Sequence, residues 1–301
     1  MALQTQVWEK HLVEKFFPDD SFISRSVDDS EYVNNRTVHV PGPGKPSAVK
    51  VNRTEVPAEV KQRVDTEVTY DIDELTTDPI RVSNAEEVEL SYDKRQSVLD
   101  VDKKEIQRVA SENILKRWAN GADSSSPILT SGGERDAHTQ KGVGKRLKMT
   151  SEAVRQVALR MDRQGLPDEG RYLILDADMY SDLLDSLTEA NRLAFVNSAN
   201  VAKGTVGQLY GVDIFKRTQV LRMKSNGTLL GSDDEGEATE VSAGLAWHDK
   251  CVSRALGKCT MFPTLRDARY YSDIFSFLLR VGGSYRRADK HGLFLVAEGN
   301  V

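Results

Sequence analysis

Between Thr150 and Leu187 the apolar pattern switches from helical period to strand period and back, which restricts the fold more than any other feature of the chain. Behind a Thr150 or Ser151 cap, Val154, Val157, Ala158 and Met161 recur at the i, i+3, i+4, i+7 spacing of a half-buried helix, and Gly165 and Pro167 close it. Tyr172-Leu-Ile-Leu175 is a short buried strand. Asp176 then caps a second helix striped by Tyr180, Leu183, Leu184 and Leu187. The result is a compact helix, strand, helix unit.

The preceding half has a different texture. Leu3, Val7, Trp8, Leu12 and Phe16 form a helical apolar stripe that Pro18-Asp19-Asp20 stops; it suits either an ordinary core helix or an arm docked partly on a neighbouring subunit. From Arg36 to Val82 period-two alternation predicts extended structure in Thr37–Val40, Val49–Val51 and Val68–Ile72, joined by a proline- and glycine-rich turn and a polar stretch. These runs lack a strongly apolar opposite face, so the β-ribbon they form is expected to need a partner surface. Asp93 to Trp118 is a long helix, with Leu99, Ile106, Val109, Ala110, Ile114 and Trp118 recurring every three to four residues and Asn120-Gly121 as its stop. Residues 121–148 are expected to be a polar, mobile connection.

After the α/β unit comes Gly204-Thr-Val-Gly-Gln-Leu-Tyr-Gly211, a glycine-punctuated turn feeding the strand Val212–Phe215. An acidic loop follows, in which Asp233, Asp234, Glu235, Glu237 and Glu240 occur without one basic residue. It is expected to form an exposed tip whose copies repel one another if packed together. Ala243–Trp247, Cys251–Met261, Ile274–Val281 and Leu293–Val296 are apolar and strand-like, so the chain closes in a mixed sheet.

Composition and motifs exclude several functions. The 301 residues are 39% hydrophobic and 29% charged, and their apolar runs are far shorter than a membrane helix. The N-terminus lacks the basic and apolar regions of a signal peptide, which points to cytosolic synthesis. Two cysteines preclude a disulfide framework, and five scattered histidines show no metal-ligand spacing. A net charge of −5 argues against a protein that works by neutralising phosphates. Lys141-Gly-Val-Gly-Lys-Arg146 lacks the first glycine and the hydroxyl residue of a phosphate-binding loop and is a solvated basic loop. There is neither a nucleophile elbow nor a dinucleotide fingerprint, and Asp176 and Asp178 are explained by helix capping and the helix dipole. No catalytic, cofactor or metal site is predicted.

The Gly204–Gly211 turn, followed by Tyr270-Tyr-Ser-Asp-Ile-Phe-Ser-Phe-Leu-Leu-Arg-Val-Gly-Gly-Ser-Tyr, resembles the major capsid proteins of tailed bacteriophages, and the order of segments matches along most of the chain. The resemblance implies an α+β, HK97-like capsid fold. Residues 1–35 would be an N-terminal arm, 36–82 the E-loop, 83–149 the peripheral domain with its spine helix, 150–261 the axial domain, and 262–301 the returning peripheral strands. It implies self-assembly into hexamers and pentamers of an icosahedral head in the host cytoplasm, around double-stranded DNA that is adjacent but not specifically bound. A separate scaffolding protein and a portal would be partners. Subunit-interface candidates are Trp8, Leu12, Phe16, Val38, Val40, Tyr70, Asp233, Asp234 and Glu235, with Lys45 and Lys50 in the region where some relatives cross-link. An encapsulin-type nanocompartment shell is the alternative within the fold, and a small α/β enzyme the alternative outside it.

Overall fold

The computed structural model describes residues 21–34, 36–42, 49, 51–52, 54, 66–83, 94–200, 203–231 and 233–300. In chain order it contains strands β1 (Thr37–Gly42), β2 (Thr66–Asp71), β3 (Asp73–Thr76) and β4 (Ile80–Ser83), then the 26-residue helix α1 (Lys94–Ala119). Next come strands β5 (Glu134–Asp136) and β6 (Lys145–Leu147), helix α2 (Ser151–Arg163), strand β7 (Arg171–Leu175), and helices α3 (Ala177–Ser186) and α4 (Glu189–Asn197). Strands β8 (Gly207–Leu209), β9 (Val212–Lys216), β10 (Leu221–Met223), β11 (Leu229–Leu230), β12 (Val241–His248), β13 (Val252–Asp267), β14 (Ser272–Tyr285) and β15 (Leu293–Ala297) complete it.

The predicted helix, strand, helix unit forms α2, β7 and α3. Asp176 accepts from the Met179 amide at 2.7 Å, as a cap should. Thr150 takes the cap position of α2, but its hydroxyl makes no cap bond. Gly165, at φ +67°, ends α2 in the left-handed conformation that glycine adopts without a Cβ penalty.

Strand β7 pairs parallel to β9 and antiparallel to β12 inside an eight-stranded sheet. Its alternate residues enter two cores. Leu173 and Leu175 pack with Val154, Met161 and Leu183 from the helices. Tyr172 and Ile174 face the opposite layer with Trp118, Phe215 and Trp247.

The second layer is a five-stranded sheet in which β13 and β14 make a long antiparallel hairpin, Val27–Asp28 adds to β13, and β3 and β4 add in succession to β14. Helix α1 joins the layers. Ile114, Leu115 and Trp118 are buried, and the Trp118 indole donates to the Ser253 carbonyl at 2.7 Å. Gly121 does stop the helix, but for a tertiary reason: a Cβ there would lie 2.7 Å from Leu293 Cδ1 and 2.8 Å from Tyr285 Cδ1.

Four expectations change. Sheet membership divides the chain at the turn Asp249–Cys251 and not at 261/262, because β13 belongs wholly to the hairpin. Strand β15 returns to the eight-stranded sheet beside β12 instead of completing the peripheral one. Residues 121–148 are tied down, with Ile128–Leu129 pairing with β15 and β5 pairing with β6. Finally, Val49 lies in no strand and Val51–Asn52 is a turn, where alternation suggested a strand over Val49–Val51; Lys50 lies outside the described residues.

Candidate functional site

The acidic loop between β11 and β12 does not stand free. It lies against α1, where Arg108 and Lys116, eight residues apart, fall on one face of the helix. Arg108 meets Asp233 at 2.9 Å and Lys116 meets Asp234 at 2.5 Å. Lys141 reaches Glu235 at 3.3 Å. Deeper in, Glu240 is 0% exposed and bonds the Arg222 guanidinium at 2.9 Å and the Lys141 amide at 3.0 Å. Arg222 also donates to the carbonyls of Gly231 and Asp234, so it clamps the loop at both ends.

The expected self-repulsion is therefore offset within the subunit. The exposed pairs contribute only about 0–1 kcal/mol each, whereas the buried Arg222–Glu240 pair is what the loop cannot lose. Although burial opposes it, the hydrogen bonds from Lys141 and Arg222 hold the Glu240 carboxyl below its usual range. Lys116, hydrogen-bonded to Asp234, does the same for that carboxyl. Arg146, read from sequence as part of a solvated basic loop, is buried and donates to the Glu240 carbonyl.

A second charged cluster sits at the N-terminus of α3. His138 Nε2 lies 2.8 Å from Asp176 Oδ2, and its Nδ1 lies 3.4 Å from Glu298 Oε1. Arg135 bridges Glu298 and Asp182, and the Ser242 amide donates to Glu298 at 3.0 Å. Burial by itself would lower the His138 pKa, but the hydrogen bond and charge of Asp176, with Glu298, outweigh it and raise it. Burial would raise Asp176; His138, Ser242 and the Met179 amide bring it down. Burial dominates for Glu298 and Asp182, whose carboxyls are pushed up.

The Ser242 hydroxyl bonds Asp176, as His138 does. A nucleophile requires its hydroxyl on the imidazole, so this arrangement satisfies a buried carboxylate and does not activate a serine. Asp176 has more to do than capping. Sequence reading missed His138, Arg135, Arg222 and Glu298, because their partners lie far along the chain.

Of the sequence-predicted interface residues, Trp8, Leu12, Phe16, Lys45 and Lys50 lie outside the described residues. Val38, Val40 and Tyr70 are brought together, but within this chain. They cluster with Ile72 and with Ala255 of β13. The base of the ribbon thus has an apolar face, and the sheet beneath it supplies the surface that buries it. Tyr70 is bonded to Ser253 at 3.2 Å, and burial pushes its phenol up to about 12. Asp233 and Asp234 lie along α1 and Glu235 beside Lys141, so the three do not stand on a detached tip.

No protein-family profile matches this chain, and no curated protein sequence does. Solved structures do match in fold. The capsid of Ralstonia phage GP4 superposes with TM-score 0.67 at 12% identity, over 92% of this chain and 87% of that one. The capsid of cyanophage P-SCSP1u gives TM-score 0.59 at 16% identity, over 90% and 86%. The capsid of a native GTA particle gives 0.55 at 12%, over 93% and 90%. With its layered sheets, its long helix between them and its ribbon rising from the hairpin sheet, the chain has the HK97-like fold of these phage capsid proteins.

Proposed function

We propose that the chain is the major capsid protein of a tailed phage, assembling as hexamers and pentamers into an icosahedral head around double-stranded DNA. The observation that supports this reading is the extent of the likeness: more than four fifths of each of the three matched capsid chains is covered, and nine tenths or more of this one. The role is structural and not enzymatic. Assembly takes place in the host cytoplasm with a separate scaffolding protein and a portal, and the product is the virion.

A ribbon anchored at its base by Val38, Val40 and Tyr70 is suited to present residues 43–65 to a neighbour without loosening the subunit. Many such contacts offset the roughly 4–15 kcal/mol of lost rigid-body freedom while each remains reversible. The test is expression, with and without scaffolding protein, followed by sedimentation and negative-stain imaging. Closed shells are expected. Replacing residues 43–65 with a short Gly/Ser linker should leave the circular dichroism unchanged and abolish shells. A parent protein that stays monomeric under every condition would refute the reading.

A further inference from the structure

The end of the β13–β14 hairpin is aromatic, basic and held in a strained conformation. Phe262, Leu265, Arg266, Tyr270 and Tyr271 are all exposed, Tyr271 to 80%. Arg266 and Tyr271 adopt left-handed backbone at φ +54° and +49°. A bulky residue there costs on the order of 1–3 kcal/mol, which folding alone would avoid with glycine. The turn is locked despite that cost. Asp273 accepts from the Arg266 amide at 2.7 Å, and the Asp267 carbonyl accepts from the Tyr271 amide at 2.8 Å. Arg269 is paired with Asp267 at 2.9 Å and lies over the Tyr270 ring, whereas the Arg266 side chain makes no ion pair among the described residues. The tip is a preorganised aromatic knob with a spare guanidinium.

The fold also holds a groove of complementary character. Between α1 and the β3–β4 edge lies a cleft of about 500 Å³, lined among the described residues by the apolar Leu75, Ile80, Ile106 and Val109 and by the carboxylates of Asp78 and Asp102. Asp102 Oδ2 is buried and has no hydrogen-bond partner among the described residues. An unpaired carboxylate oxygen beside apolar side chains is costly unless a donor arrives from outside. Burial pushes the Asp102 carboxyl up, as expected for such a position.

We infer that this groove receives the hairpin tip of a second copy of the chain, with Tyr271 and its aromatic neighbours on the apolar floor and Arg266 on Asp102. The occupant cannot be the chain's own tip. The groove runs beside β14 from Phe275, which pairs with Ile80, to Leu278, which pairs with Thr76, and Tyr271 lies four to seven residues away along extended chain, roughly 13–23 Å at the rise of a strand. Different patches meet across this contact, so it is heterologous and propagates into a ring or lattice. It rests on the shell-subunit reading above only in taking a second copy as the partner.

The test is a charge exchange read by sedimentation of the full chain. Asp102→Arg and Arg266→Asp should each lower the assembled fraction at least tenfold, and the double variant should return to within about threefold of the parent. Tyr271→Asp, at an exposed position, should fail as the single charge variants do while keeping the parent's circular dichroism. Single variants that assemble normally, or a folded double variant that stays unassembled, would overturn the contact. If the parent makes no shells, the capsid reading fails and the contact is judged alone. Concentration-dependent self-association of the parent that Asp102→Arg abolishes would uphold it, and a parent monomeric at all concentrations would overturn it.

Discussion

Trp118 is the side chain on which the two layers depend most. It is 0% exposed, its ring lies 6.1 Å from Phe22 in an edge-on arrangement and 5.7 Å from Trp247, and its indole donates to Ser253 of the hairpin sheet. Trp118→Ala removes a fully buried ring, for which about 3–5 kcal/mol is usual, and a hydrogen bond worth about 1 kcal/mol. Because the terms overlap, the expected loss is about 4–5 kcal/mol, a large part of a typical stability of about 5–15 kcal/mol. Trp118→Phe keeps most of the packing and should lose only about 1–2 kcal/mol. Urea unfolding of the unassembled subunit, followed by far-ultraviolet circular dichroism, measures both as midpoint shifts at constant slope. An alanine variant within about 1 kcal/mol of the parent would refute the view that this ring joins the layers. A phenylalanine variant as damaged as the alanine variant would shift the explanation to the hydrogen bond.

Three further outcomes are expected. Arg222→Met strands the buried Glu240 and should cost about 3–5 kcal/mol in urea, and adding Glu240→Leu should recover much of it; a single variant as stable as the parent would contradict the clamp. His138 is held above its ordinary 6.5, so its contribution is complete below that value and is lost as pH rises through the folded-state pKa, whereas Asp176, held below 3.8, contributes fully above 3.8 and loses its share on acidification. The melting-temperature advantage of the parent over His138→Gln should therefore shrink as pH rises above 6.5 through the folded-state pKa, and a constant difference would show that His138 serves by packing. The shell is expected to be non-covalent: particles boiled in denaturant should run as one band near 33.6 kDa, and a ladder that survives reduction would point to cross-linking through Lys45 or Lys50.

The sequence by itself determined the elements whose cause is local. The stripe from Val154 to Met161, the Asp176 cap, the Gly165 stop and the long apolar register through Trp118 each depend on spacings of a few residues, and each became the expected helix or strand. Order and texture then sufficed for the capsid fold. What only the tertiary structure decided concerns residues whose partners lie far along the chain. Arg135 finds Glu298 across 163 positions and Lys116 finds Asp234 across 118, so a loop that looks self-repelling in sequence is neutralised once folded. The ribbon's inner face is buried within the subunit because Ala255 packs with Val38 and Tyr70, and Gly121 is required by Leu293 and Tyr285. Local periodicity records which face of an element is buried. It does not record what that face is buried against, since the partner is fixed only when the whole chain closes.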